Sequence, residues 1–320
     1  MQNKHLPVIP KAVLQKHKVH ELTDSRFKAS ARLLQSLWRE DHEFKIGTHR
    51  TPKGKRRKLG SRLHIDCAKR GANFLHQDIA KLALRESVYR EPGALIDEER
   101  LWSNLLSSQP LCFNLFGSLK LDAPMGNQFF QRLFPDFVQN VTGIYFEHSP
   151  GRRNPAFTDD HSAFDVFVTC TTTSGEKGFL AIEVKYSESM NEPAATLRPR
   201  YDELSAECTV FKDPAASALR GNPLQQLWRE HMLCQSMIAN GLYGQGRFVV
   251  VYPEKNSNCD AAINAYRTHL IDGTPSATGF EAITLESCLE NLRGIGNEEL
   301  AENLFHRYLD FGRVEEAIFG

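Results

Sequence analysis

Ser162-Ala-Phe-Asp-Val-Phe-Val-Thr-Cys170 and Gly178-Phe-Leu-Ala-Ile-Glu-Val-Lys-Tyr186 are two β-rich runs joined by Thr171-Thr-Thr-Ser-Gly-Glu-Lys177. Side chains alternate along a strand, so Glu183 and Lys185 share one face while Ile182 and Val184 take the other. A charged pair inside so apolar a run is costly to bury unless it is paired or bound to a metal. The connection predicts a hairpin with its tip near Ser174-Gly175. A tip centred on Ser174 sets Asp165 opposite Glu183; one centred on Gly175 sets it opposite Lys185. Both registers leave Asp165 on the face of that pair, with opposed Cβ atoms about 4.5–5.5 Å apart. Two carboxylates and an ammonium thus converge on one point. The plainer alternative is a structural Glu–Lys pair on a half-exposed strand, with Asp165 as its neighbour.

Carboxylates at such a separation repel unless a cation lies between them. Oxygen-only ligands favour a hard ion such as Mg²⁺, which keeps coordination sites for water and phosphate. That ion polarises a phosphoryl oxygen and acidifies a bound water. Lys185 can orient the water, help deprotonate it or stabilise phosphorane charge. The constellation therefore suits phosphodiester hydrolysis. The other Asp/Glu-x-Lys triplet, Glu43-Phe-Lys45, lies in a polar stretch and reads as solvated surface.

Working outward, residues 141–146 are a further β-rich run, followed by a loop over 149–155. Residues 127–138 read as an apolar helix. A shorter helix starts near Asp97, passes Leu101-Trp102 and Leu105-Leu106, and ends near Pro110. Pro92-Gly93 breaks the chain before it. Residues 73–86 read helical, as does a segment from Phe27 to Trp38 capped by Asp24. Between those two helices, residues 51–62 read as a basic Gly/Pro-containing loop. It either grips phosphates without reading bases or is ordinary mobile surface. Downstream, Asn222-Pro223 starts a helix that runs to about Ala239 and is ended by Gly241 and Gly244. A short apolar strand at 248–252, a helix near 261–270, a strand at 280–284 and terminal helices follow. The order predicts an α/β chain with a central mixed sheet flanked by helices over residues 93–320, behind a helical, basic N-terminal region at 1–92.

Composition narrows the class. The 320 residues are 41% hydrophobic and 10% aromatic, which supplies a core and excludes a disordered chain. No apolar run approaches the roughly 18 residues of a membrane span, and Met1–His5 leads into no apolar signal segment. The seven cysteines form no Cys-x-x-Cys and read as reduced thiols of a cytoplasmic protein. The net charge of zero hides an asymmetry: residues 1–70 hold 18 Lys and Arg against 6 Asp and Glu, the rest 21 against 33. A basic head suggests contact with a polyanion, an acidic body a place for cations.

The arrangement of Asp165 with Glu183-Val-Lys185 resembles the PD-(D/E)XK nuclease superfamily, the restriction-endonuclease-like fold. Phe164 stands where the motif has proline. Glu99-Arg-Leu-Trp102 with Leu105-Leu106 and Pro110 is similar to the upstream helix of several such nucleases. The resemblance implies Glu99 as an extra acid at the metal, with Glu98 as substitute; a solvated first-turn glutamate is the alternative. The helix Asn222-Pro-Leu-Gln-Gln-Leu-Trp-Arg-Glu-His-Met232 matches the place where relatives carry a glutamine near the active site. That implies Gln226 at the centre, with Gln225 and Arg229 toward DNA phosphate. The run 105–117 with Phe146–Arg152 and Ala163-Phe-Asp-Val166 looks like a bacterial group of restriction-endonuclease-like proteins, over roughly residues 25–310.

The resulting expectation is a Mg²⁺-dependent DNA endonuclease, with Mn²⁺ as a substitute, in restriction or phage defence. Asp165, Glu183 and the Val184 carbonyl would hold the metal. Lys55, Arg56, Arg57, Arg152 and Arg153 would contact the DNA backbone. Glu147 could add a carboxylate and His161 could sit at the site mouth. Cutting both strands would favour a homodimer. The alternatives are a repair or recombination nuclease acting on branched or single-stranded DNA, and a non-cleaving DNA-binding protein on the same fold.

Overall fold

The structure, a computed structural model, describes residues 6–50, 54–271 and 278–320. Its first part comprises α1 (Lys11–Lys16), α2 (Arg26–Asp41), β1 (Ile46–Arg50), β2 (Arg56–Leu63), α3 (Ile65–Ala68) and α4 (Gln77–Val88). The cap of α2 is Ser25 rather than Asp24: its hydroxyl accepts from the Lys28 amide at 3.2 Å, while Asp24 pairs with Arg32 at 2.6 Å. The basic segment expected as a loop is largely a strand, since β2 pairs antiparallel with β1. The N-terminal region is therefore not purely helical. Its strand shows no apolar alternation in the basic half, the usual mark of a half-buried strand. Residues 51–53 of that segment lie outside the described residues.

The helix expected from Asp97 to Pro110 is two helices, α5 (Glu98–Ser103) and α6 (Ser108–Leu121), followed by α7 (Ala123–Leu133). Ser107 starts α6, its hydroxyl accepting from the Gln109 amide at 3.2 Å. Pro110 lies in the first turn, where no intrahelical amide bond is lost. Leu111, Cys112, Phe113, Leu115, Phe116 and Leu119 are all buried, so α6 is apolar nearly all round and carries no stripe for a periodicity to mark. The strand that follows begins at residue 138, where the apolar pattern predicts helix.

The central sheet holds β3 (Val138–His148), β4 (Phe164–Thr172), β5 (Lys177–Val184), β6 (Gln245–Tyr252) and β7 (Gly279–Thr284), in that order. β3–β4 and β4–β5 pair antiparallel, β5–β6 and β6–β7 parallel. In the β4–β5 hairpin Val166 opposes Ile182 and Thr171 opposes Lys177, the register centred on Ser174. The turn closes through the Gly175 amide, which donates to the Thr172 carbonyl at 2.8 Å. Gly175 has φ of 83°, the left-handed conformation that a three-residue hairpin loop requires at its last position.

Alternation divides the apolar side chains between two cores. Val166, Val168, Leu180, Ile182 and Val184 face one, shared with Leu33 and Leu34 of α2, Leu111 and Leu115 of α6, and Phe129 and Phe130 of α7. Phe167, Phe179, Ala181, Phe248 and Val250 face the other. There α8 (Pro199–Glu207), α9 (Gln225–Ala239) and α10 (Ser257–Thr268) cover the sheet. The last helices, α11 (Leu285–Gly294), α12 (Glu298–Tyr308) and α13 (Gly312–Phe319), close the first core. α9 begins at Gln225 rather than at Asn222-Pro223, and the Asn222 side-chain amide donates to the Glu192 carbonyl at 2.7 Å.

Candidate active site

Past Phe164 at the start of β4, the apolar residues of β4 and β5 that face α9 are odd-numbered: Phe167, Phe179 and Ala181. Beyond the apolar part of the sheet the same parity delivers Asp165 at the start of β4, Glu183 near the end of β5, and Lys185 just after it. The antiparallel register brings those ends side by side. The Lys185 amide still donates to the Val251 carbonyl at 2.8 Å, which holds its backbone against β6. All three side chains line a cleft of about 570 Å³.

The hydrogen bonds inside the cleft are specific. The Asp165 carboxylate accepts from the Val184 amide at 2.8 Å. Lys185 Nζ donates to Glu183 Oε1 at 2.7 Å and to Gln226 Oε1 at 2.8 Å. Gln226 Nε2 donates to Glu183 Oε1 and to Glu230 Oε1, both at 2.8 Å. The other Glu230 oxygen is buried without a partner among the described residues. Burial, reinforced by the Glu183 charge, pushes both the Asp165 and the Glu230 carboxyls well above the usual carboxylate range. Burial alone would pull the Lys185 ammonium down, but Glu183, Glu230 and Glu188 outweigh it and hold it above its ordinary value. Glu147, also in the cleft, is raised by burial against the opposing pull of the Leu95 amide and Arg152.

A sheet that offers an acid at the start of one strand and Glu-x-Lys at the end of the next, with a glutamine from the covering helix between them, is a family-level arrangement. The family model of the PD-(D/E)XK nuclease superfamily matches residues 22–310. The chain belongs to that superfamily. No curated protein and no solved structure matches it. The mixed sheet flanked by helices is accordingly the restriction-endonuclease-like fold of PD-(D/E)XK proteins, whose members are generally nucleases.

Other residues expected at the PD-(D/E)XK centre are placed unevenly. Gln226 joins Glu183 and Lys185 directly. Glu99 does not reach the cleft; its carboxylate, 65% exposed, pairs with Arg62 at 3.0 Å. Glu98 is also absent from the lining. In their place the fold supplies Glu147, from the end of β3, where φ of 50° puts a non-glycine residue in the left-handed region. Such backbone strain concentrates at functional sites. Gln225 is buried and turned inward, its amide closing a two-way bond with the Ala195 backbone at 2.6 and 2.7 Å. Arg229 is in the cleft but held by Asp160 at 2.7 Å and Ser162 at 3.0 Å. The Arg152 side chain is buried between Glu91 and Glu147. Arg153 donates to His161 at 2.7 Å, and His161 does line the cleft. Lys55 and Arg56 are exposed, whereas Arg57 pairs with Glu21.

Glu230 escaped the sequence reading, although its spacing of four from Gln226 on one helix was a usable signal. Glu147, expected as an added carboxylate, does line the cleft, whereas Glu188 and Glu192 reach it through long-range folding that no local pattern records.

Proposed function

We propose that this PD-(D/E)XK protein is a Mg²⁺-dependent DNA endonuclease that hydrolyses phosphodiester bonds, with restriction or anti-phage defence as its setting. One observation carries the reading: Asp165, Glu183, Lys185 and Gln226 meet in a single cleft, the last three joined by direct hydrogen bonds. Two acids, a lysine and a glutamine lining one open cleft favour a catalytic role over a purely structural one.

The donor chemistry fits a hard divalent cation. Asp165 and Glu183 offer oxygens only, and burial makes the Asp165 charge costly without a neighbouring cation. Among the described residues no group of three or more His, Cys, Asp and Glu is arranged to hold a metal. Asp165 and Glu183, with the Val184 carbonyl, are the residues that would hold Mg²⁺ or Mn²⁺, water completing the shell. The ion, when bound, would polarise the phosphoryl oxygen and acidify a water. Lys185 presents its ammonium beside Glu183, where it can orient the attacking water and offset the charge that builds on the phosphorane. Gln226 holds Lys185 and Glu183 in a fixed relation. The contacts of buried Glu183 and Lys185 with half-buried Gln226 leave little freedom to reorganise, which is what positioning catalysis requires.

The test supplies plasmid DNA and Mg²⁺ to the wild type, Lys185→Ala and Glu183→Ala. Loss of at least about 100-fold in cleavage by each variant is expected from removing one charge-stabilising or metal-holding group. Equal cleavage by all three would sink the assignment. Comparing duplex, flap and junction substrates separates a defence enzyme from a repair nuclease.

A further inference from the structure

The cleft that holds Asp165 and Glu183 is not closed at its far end. A second groove of about 380 Å³ adjoins it, and Arg100, Glu188 and Glu192 line both. The N-terminus of α6 stands between them, Ser107 lining the second groove and Ser108 the first. Ser108 is only 6% exposed, lines the cleft, and makes no side-chain hydrogen bond among the described residues. A helix start carries free amides and the positive end of the dipole, both suited to a phosphate.

The cations there are available. The backbone amide of Arg100 is engaged, with Asp97, but its guanidinium has no partner among the described residues. The same holds for Lys28 in the second groove, whose amide alone is engaged, with Ser25. Two of the nearby acids are paired with cations, while Glu188 and Glu192 accept from backbone amides. Asp24 pairs with Arg32 and Glu21 with Arg57. Glu188 accepts from the Tyr186 amide at 2.6 Å, and Glu192 from the Ser189 amide at 2.9 Å. His49, in the same groove, is held below its ordinary pKa by burial and then by Arg62. The two parts are firmly joined: the Leu105 amide donates to the Ser61 carbonyl at 3.1 Å, and Arg62 bridges to Asn104.

We propose that Arg100, Ser108 and the start of α6 bind the phosphate next to the scissile one, and that the DNA strand continues along the second groove past Lys28. This rests on the nuclease reading and gives the basic N-terminal part a defined role, lining the exit path of the substrate strand. It also replaces Arg152 as a backbone contact with Arg100, which carries no internal partner among the described residues.

The proposal is tested by DNA binding of the full-length chain without divalent metal, measured on a labelled duplex over a series of salt concentrations. Each phosphate contact contributes about one unit to the slope of log K against log salt. Arg100→Ala and Lys28→Ala should each lower that slope by about 1 and weaken binding equally on unrelated sequences. Ser108→Ala should weaken binding with the slope unchanged, because it removes an uncharged hydrogen bond. Thermal melts guard against misfolding, and neither Arg100 nor Lys28 has an internal side-chain partner to lose among the described residues. Wild-type slopes in both charge variants, with cleavage intact, would overturn the proposal and leave the nuclease reading standing. A wild type that neither binds nor cuts DNA would overturn both.

Discussion

Gln226 makes three hydrogen bonds, and together they fix which way its amide faces. Nε2 donates to Glu183 and Glu230, so Oε1 is left to accept from Lys185. Glu230 thereby sets the orientation of a group that touches both Glu183 and Lys185. Glu230→Gln keeps an acceptor in place and should cleave within a few-fold of wild type. Glu230→Ala leaves a buried amide hydrogen unpaired at a cost of about 1–3 kcal/mol; cleavage rates should fall well below those of Glu230→Gln. Similar rates for the two variants would remove Glu230 from this role. One position further along, His231 is fully buried, with Nε2 on the Thr278 carbonyl and Nδ1 on the Tyr266 hydroxyl. A carbonyl only accepts, so Nε2 carries a proton. Burial lowers the ring's pKa to about 4. Because the unfolded chain binds that proton from about pH 6.5 downward while the folded chain resists it, stability is retained above pH 6.5 and lost as pH falls toward 4. The loss attributable to this ring is about 3 kcal/mol. Melting temperatures of wild type and His231→Gln between those limits should converge as pH falls; parallel curves would place the acid sensitivity elsewhere.

The β4–β5 hairpin was legible because its information is local. Parity fixed the face of Asp165, Glu183 and Lys185, and the Ser174-Gly175 tip restricted the register to two choices, of which the structure takes the first. Gly175 shows the physical basis. Its φ of 83° is unfavourable for a side chain, although a Cβ there would meet nothing within 4 Å. Gly175→Ala should therefore cost about 1–2 kcal/mol from backbone strain alone, read as a lower urea midpoint with unchanged m-value. No change in midpoint would show that the loop relaxes freely. Elsewhere local information failed. α6 is buried on every side and has no amphipathic period, and β2 begins in a run of charges. Both are set by what packs around them. Glu99 lies outside the cleft for a related reason: Arg62, distant in sequence, pairs with its carboxylate.

At the scale of the molecule, the N-terminal part is woven into the core that supports the site. Phe27, Leu33 and Leu34 share a cluster with Leu111 and Val184. Gln35 donates to the Tyr186 hydroxyl at 3.1 Å and to the Arg307 carbonyl at 2.6 Å, tying α2 to the chain just past Lys185 and to α12. Each buried leucine or phenylalanine contributes roughly 1.5–3 kcal/mol, against a net stability of about 5–15 kcal/mol. A fragment of residues 93–320 should therefore show no cooperative thermal transition by calorimetry. A sharp transition would show that the sheet stands without α2.

All seven cysteines are free and buried. Cys112, Cys170 and Cys288 lie in the core that contains α2. Cys208, Cys234 and Cys259 lie in the core beneath α9, and Cys67 packs in a small third cluster with Trp38 and Leu63. A thiol reacts only as an accessible thiolate, so the native chain should be nearly silent to an alkylating reagent. Each apolar region thus owns its own chemical stopwatch. Timed alkylation followed by peptide mass mapping would reveal which of the three breathes first, and whether DNA slows the region under the cleft while leaving the others to keep their own time.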